Sequence, residues 1–111
     1  MNRVIGLSVA LSLFSVVAIA DDFSGTATSG NLSVWRINHD TGQVSLCSFE
    51  GKLNAPECYP WSETIQRGKY KVIAGDDVLS TWRIDGATGM VSMCEYGDIS
   101  EPPICTPWSD K

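Results

Sequence analysis

At an offset of 47 positions the chain matches itself without a gap. Leu32-Ser33-Val34-Trp35-Arg36-Ile37-Asn38 falls on Leu79-Ser80-Thr81-Trp82-Arg83-Ile84-Asp85, and Thr41-Gly42-Gln43-Val44-Ser45-Leu46-Cys47 falls on Thr88-Gly89-Met90-Val91-Ser92-Met93-Cys94. Cys58-Tyr59-Pro60-Trp61-Ser62-Glu63 then matches Cys105-Thr106-Pro107-Trp108-Ser109-Asp110. From Leu32 to Glu63, 15 of 32 positions are identical, where chance at average residue usage gives about two. Two copies of one short unit are therefore expected to fold alike and to pack face to face or join edge to edge, hiding apolar faces that neither could bury alone. Weaker matches upstream, Phe23 on Tyr70 and Ala27 on Ala74, extend the units to residues 21–67 and 68–111. They form one domain of two repeats joined at Thr64-Ile65-Gln66-Arg67-Gly68.

Within each unit the segments Leu32–Asn38 and Val44–Phe49 are rich in β-branched and aromatic residues, the composition of strands. Between them Asn38 (Asp85 in the second copy) can bond a backbone amide two or three residues on, and Gly42 (Gly89) accepts a positive φ. A four-residue hairpin loop over 39–42 follows. It sets Ile37 opposite Val44 and Trp35 opposite Leu46 on one side, with Val34 opposite Cys47 and Leu32 opposite Phe49 on the other. The second copy repeats this as Ile84/Val91, Trp82/Met93, Thr81/Cys94 and Leu79/Tyr96. The tryptophan side is apolar in both copies and is the expected shared core. Phe23–Ala27 and Tyr70–Ala74 are expected to add a third strand to each unit. No segment after residue 20 sustains a helical apolar period. The expected fold is all-β, two tandem three-stranded antiparallel meanders, each with one disulfide-stapled loop, packed as a small pseudo-symmetric sandwich or sheet.

Residues 1–20 have the form of a secretory signal peptide: Arg3, an apolar run from Val4 to Ala18, and Ala18-Ile19-Ala20 before Asp21. The competing possibility is a membrane anchor, for which the apolar run is borderline in length. Cleavage after Ala20 removes Arg3 and changes the formal charge from −5 to 7 − 13 = −6. An acidic chain of this kind, with no basic cluster apparent, argues against nucleic acid and anionic membranes as partners. A periplasmic or secreted location is expected. All four cysteines follow residue 20, an even number in an exported chain, which points to disulfides. Cys47/Cys58 and Cys94/Cys105 are each 11 positions apart. Of the three possible pairings, bridging within each unit is favoured, because a single ancestral unit had only its own two cysteines. Each bridge closes a loop of about twelve residues and contributes on the order of 3 kcal/mol. Asn54-Ala55-Pro56-Glu57 and Glu101-Pro102-Pro103-Ile104 then become stapled loops.

The Pro-Trp-Ser-acid tail of each unit supplies the candidate binding residues. Trp61 and Trp108 either fold back over the disulfide as packing or stand out as platforms for sugars or peptides. Arg36 and Arg83 either stack on those tryptophans or contact a ligand at pseudo-equivalent positions. His39, the only histidine, sits at a turn tip where the second copy has Gly86, a poor place for catalysis. No carboxylate pair or Ser/His/Asp set recurs. Asp21-Asp22 and Asp76-Asp77 lack calcium-loop spacing, so no metal, cofactor or catalytic residue is assigned. Asn31-Leu32-Ser33 matches a glycosylation sequon.

Trp35-Arg36-Ile37-Asn38 through Thr41-Gly42, with its second copy, resembles the D-x-x-T-G hairpin of PQQ-type β-propeller blades over about fourteen residues per unit. Cys47 and Cys94 stand where that repeat usually has a tryptophan, and two units cannot close a propeller ring, so neither cofactor nor activity carries over. The whole chain also resembles small exported bacterial proteins of unassigned function with a W-R-[IL]-D-x-x-T-G-x-V-S-x-C motif, which implies a compartment and no activity. The expected function is a non-catalytic interaction module for another envelope or secreted protein. The alternative is a module that binds a glycan or peptide through Trp61, Trp108, Arg36 and Arg83. No feature specifies an oligomeric state.

Overall fold

The computed structural model describes residues 22–28, 30, 32–49 and 55–110. The expected signal peptide, residues 1–20, the sequon residue Asn31, and Asn54 of the first cysteine loop lie outside them. The described residues form eight strands and no helix. The first copy contributes β1 (Phe23–Ala27), β2 (Ser33–Asn38), β3 (Val44–Ser48) and β4 (Glu57–Cys58); the second contributes β5 (Tyr70–Ala74), β6 (Ser80–Asp85), β7 (Val91–Glu95) and β8 (Ile104–Cys105). Each copy is one antiparallel sheet with its strands in chain order. The register is that expected from the turn: Ile37 opposite Val44, Trp35 opposite Leu46, Ile84 opposite Val91, Trp82 opposite Met93.

The turns explain that register. Asn38 Oδ1 accepts from Asp40 N at 2.8 Å, and Asp85 Oδ1 accepts from Ala87 N at 2.8 Å. Gly42 N and Gly89 N donate to the carbonyls of Asn38 and Asp85 at 2.7 and 2.8 Å. Both glycines have positive φ, 73° and 79°, a region that costs other residues strain.

Two expectations need correction. Each meander gains a fourth strand of two residues where only a stapled loop was expected, because the disulfide holds Cys58 directly opposite Cys47 and Cys105 opposite Cys94. Backbone bonds then carry the pairing on, Tyr59 N to Leu46 O and Thr106 N to Met93 O, both at 2.8 Å. Pro56 and Pro103 just precede these strands, where a missing N–H removes no ladder bond.

The second correction concerns the core. In the first sheet the tryptophan face is buried: Trp35, Ile37, Val44 and Leu46 are at most 1% exposed. In the second sheet the cysteine face is buried instead, with Tyr70, Val72, Cys94 and Tyr96 completing the same cluster, while Trp82 is 40% exposed. The sheets thus pack tryptophan face to cysteine face, and the core is not shared by equivalent residues. The cause is the short join. Ile65 N donates to Thr41 O at 2.8 Å and Gly68 N to His39 O at 2.9 Å, so the chain runs back over the first hairpin tip before β5 begins. The second copy starts at the same end as the first, and the hairpin tips at His39 and Gly86 border one cleft. Copies related by displacement meet front to back; a twofold would have set the two tryptophan faces together.

Tyr96 is the chief tie between sheets. Its ring stacks on Trp35 with centroids 5.3 Å apart and meets the Tyr59 ring edge-on at 5.9 Å. Its hydroxyl donates to Pro60 O at 2.7 Å and accepts from Leu46 N at 3.2 Å. Trp35 Nε1 donates across the interface to Val78 O at 3.0 Å. Every described cysteine is bridged, which fits an oxidising compartment outside the cytoplasm. Among the described residues no helix is long and apolar enough to cross a membrane.

Candidate functional site

The two Pro-Trp-Ser tails are fixed by a device that the sequence displays and does not explain. Ser62 N donates to Val44 O at 2.9 Å while Ser62 Oγ accepts from Val44 N at 2.8 Å. Ser109 does the same for Val91, at 2.8 and 2.9 Å. Each serine thus completes the open edge of its strand with backbone and side chain together, a demand that any buried edge imposes. From inside the sheet, Ser45 Oγ and Ser92 Oγ donate to the carbonyls of Tyr59 and Thr106, both at 2.7 Å. Identity of these serines in both copies was the available signal.

So anchored, each tail lays its tryptophan over the arginine of the neighbouring strand. The Arg36 guanidinium lies 4.1 Å from the Trp61 ring centroid, and that of Arg83 lies 4.7 Å from Trp108. Phe23 packs beside Trp61 at 6.3 Å, and Tyr70 stacks on Trp108 at 5.9 Å. Cation–π contact with a desolvated guanidinium contributes about 2 kcal/mol. Both tryptophans remain half-buried, so each is packed on one face and open on part of the other.

The arginines differ in depth. Arg83 is 3% exposed and donates from Nη1 to Gly42 O of the first copy at 2.9 Å. Arg36 is half-buried and donates to Ser45 Oγ at 3.4 Å. Burial lowers the pKa of both below the ordinary arginine value, yet a guanidinium stays charged. The Nε of each is buried and finds no acceptor in the described protein, and neither guanidinium is paired with a carboxylate there.

The fold gathers three of the four candidate residues, Trp61, Trp108 and Arg83, around one cleft of about 610 Å³ between the tails. Pro102, Pro103 and Pro107 add to its apolar wall. Arg36 does not line it and lies on the far side of Trp61. A groove with two tryptophans and one buried cation suits a flat apolar ring or prolyl group carrying a hydrogen-bond acceptor. A second cleft, about 760 Å³, borders the join and brings Arg67, Lys69 and Lys71 together, a local basic group that the acidic total conceals. Arg67 is paired with Asp40. Among the described residues no group of histidine, cysteine or acidic side chains is arranged to hold a metal.

Comparison of the chain with protein-family models, curated proteins and solved structures finds no match.

Proposed function

We propose that this protein is a non-catalytic interaction module of the periplasm or the extracellular medium, and that it binds a protein through the tryptophan face of its second sheet. The observation that carries this is the unequal fate of two equivalent tryptophans: Trp35 is 0% exposed, whereas Trp82 is 40% exposed beside Ile73 at 49%, with Ile104 at 75% two strands away on the same face. Trp82 and Ile73 are opposite one another across β5 and β6. Exposed apolar side chains around an aromatic mark protein contact sites. Lys71 and Glu95 flank it, as polar residues rim an interface.

The test is affinity capture from the native envelope extract, with the mature protein and its Trp82→Glu variant as paired baits. Loss of the captured protein with Trp82→Glu and its retention with Trp61→Ala supports this function. Equal capture by wild type and Trp82→Glu contradicts it.

The cleft between the tails favours a second function, binding of a glycan or a proline-containing peptide at Trp61, Trp108 and Arg83. Saturable binding to a glycan or peptide panel, abolished by Trp108→Ala, supports it. Unchanged tryptophan fluorescence across the panel argues against it.

A further inference from the structure

The contact inside the chain is of the head-to-tail kind, the tryptophan face of one unit on the cysteine face of the next. These two units leave one exposed face of each type. Among the described residues ten large apolar side chains are more than a third exposed, and seven of them lie on these two faces: Phe23, Leu32, Val34 and Phe49 on the first sheet, and Ile73, Trp82 and Ile104 on the second. Resting on the interaction-module function above, we propose that the protein partner is a second copy of this chain. The tryptophan face of one copy's second sheet seats on the cysteine face of the next copy's first sheet and so continues the intramolecular interface until a ring closes.

Differences between the copies fit this continuation. Inside the chain Tyr96 stacks on Trp35, and its hydroxyl satisfies Leu46 N, which among the described residues no side chain of the first copy reaches. Carried forward by 47 residues, the equivalent contact between copies places Phe49 on Trp82. Phenylalanine has no hydroxyl to offer, and the amide needs none: Met93 N, the counterpart of Leu46 N, is already bonded to Thr106 Oγ1 at 3.0 Å. Thr106 stands where the first copy has Tyr59. Each change in the pair thus answers the other. Arg83 bonds Gly42 O across the existing interface, and its counterpart Arg36 lies on the free cysteine face and meets Gly89 in the same relation. Phe23, 53% exposed, takes the place of Tyr70, 3% exposed.

Head-to-tail contacts close into rings or run on as fibres, according to the rotation they impose. Here the sheets come closest where β1 and β2 meet β5, so each step is a wedge with the first strands innermost, which closes. Rings of radially repeated four-stranded sheets hold about four to eight sheets, hence two to four chains.

Sedimentation or light scattering of mature residues 21–111 over a dilution series tests this, alongside the Trp82→Glu and Phe49→Glu variants, with circular dichroism as a control of folding. Both positions are exposed within one chain, so folding persists. The expected result is one discrete species of two, three or four chain masses, dissociated to monomer by either substitution. A monomer throughout overturns the ring; if Trp82→Glu still abolishes capture of a different protein, the interaction-module function stands without it. A dimer broken by Trp82→Glu and untouched by Phe49→Glu also overturns it, since that pattern marks a twofold contact between two tryptophan faces. Growth without limit on concentration excludes closure.

Discussion

Tyr96 shows how much one atom decides in this molecule. Its hydroxyl joins Leu46 N and Pro60 O of the other copy, and burial raises its pKa above the ordinary phenol value of about 10. Tyr70 shifts in the same direction, mainly by burial. A group that holds its proton more tightly when folded stabilises fully below its unfolded pKa, and that stability falls as pH rises from about 10 toward the raised value. Tyr96→Phe removes the hydroxyl and takes this partner from the buried Leu46 N and the partly buried Pro60 O, an expected loss of about 1–3 kcal/mol at neutral pH. The alkaline decline becomes shallower in the variant, with Tyr70 responsible for what is left. Denaturant titrations at neutral pH and above about pH 10 measure both effects.

At the scale of the elements, what was legible in the sequence is what local chemistry settles. The Asn38/Asp85, Thr41/Thr88 and Gly42/Gly89 turns, the register of β2 on β3 and β6 on β7, and the cysteine pairing all follow from residues close in sequence. Fourth strands were not legible, because Glu57–Cys58 and Ile104–Cys105 are too short to show alternation and pair only once the disulfide holds them. The two turns also separate local from tertiary demands. Gly42 and Gly89 share a left-handed backbone, but a Cβ on Gly42 would collide with the Ile65 side chain of the join, whereas one on Gly89 meets nothing within 4 Å. Gly89→Ala is expected to cost about 1–2 kcal/mol for backbone strain alone. Gly42→Ala costs more, since the join must also shift. Thermal unfolding of the two variants side by side checks the order.

At the scale of the whole molecule the sequence showed two equal copies, and the fold makes them unequal. The tryptophan face was expected to be the core in both, and nothing at Trp35 or Trp82 distinguishes them. The distinction lay at their non-identical neighbours, where the second copy puts Lys71, Met93 and Glu95 in place of Ser24, Leu46 and Ser48. Two of those three changes place a charge on the face that the fold exposes. Among the candidate site residues, the Arg–Trp stacks were legible from their recurrence. Their convergence on one cleft was not, because it depends on how the copies are displaced. Front-to-back packing is the claim on which the free faces, the docking surface and the ring all depend. The measurement that reaches it most directly is a nuclear Overhauser spectrum of residues 21–111 resolving the Trp35 indole. Cross-peaks from that ring to Tyr96, with none to Met93, are the predicted result; cross-peaks from Trp35 to Met93 or Trp82 would show the two tryptophan faces packed together and contradict it.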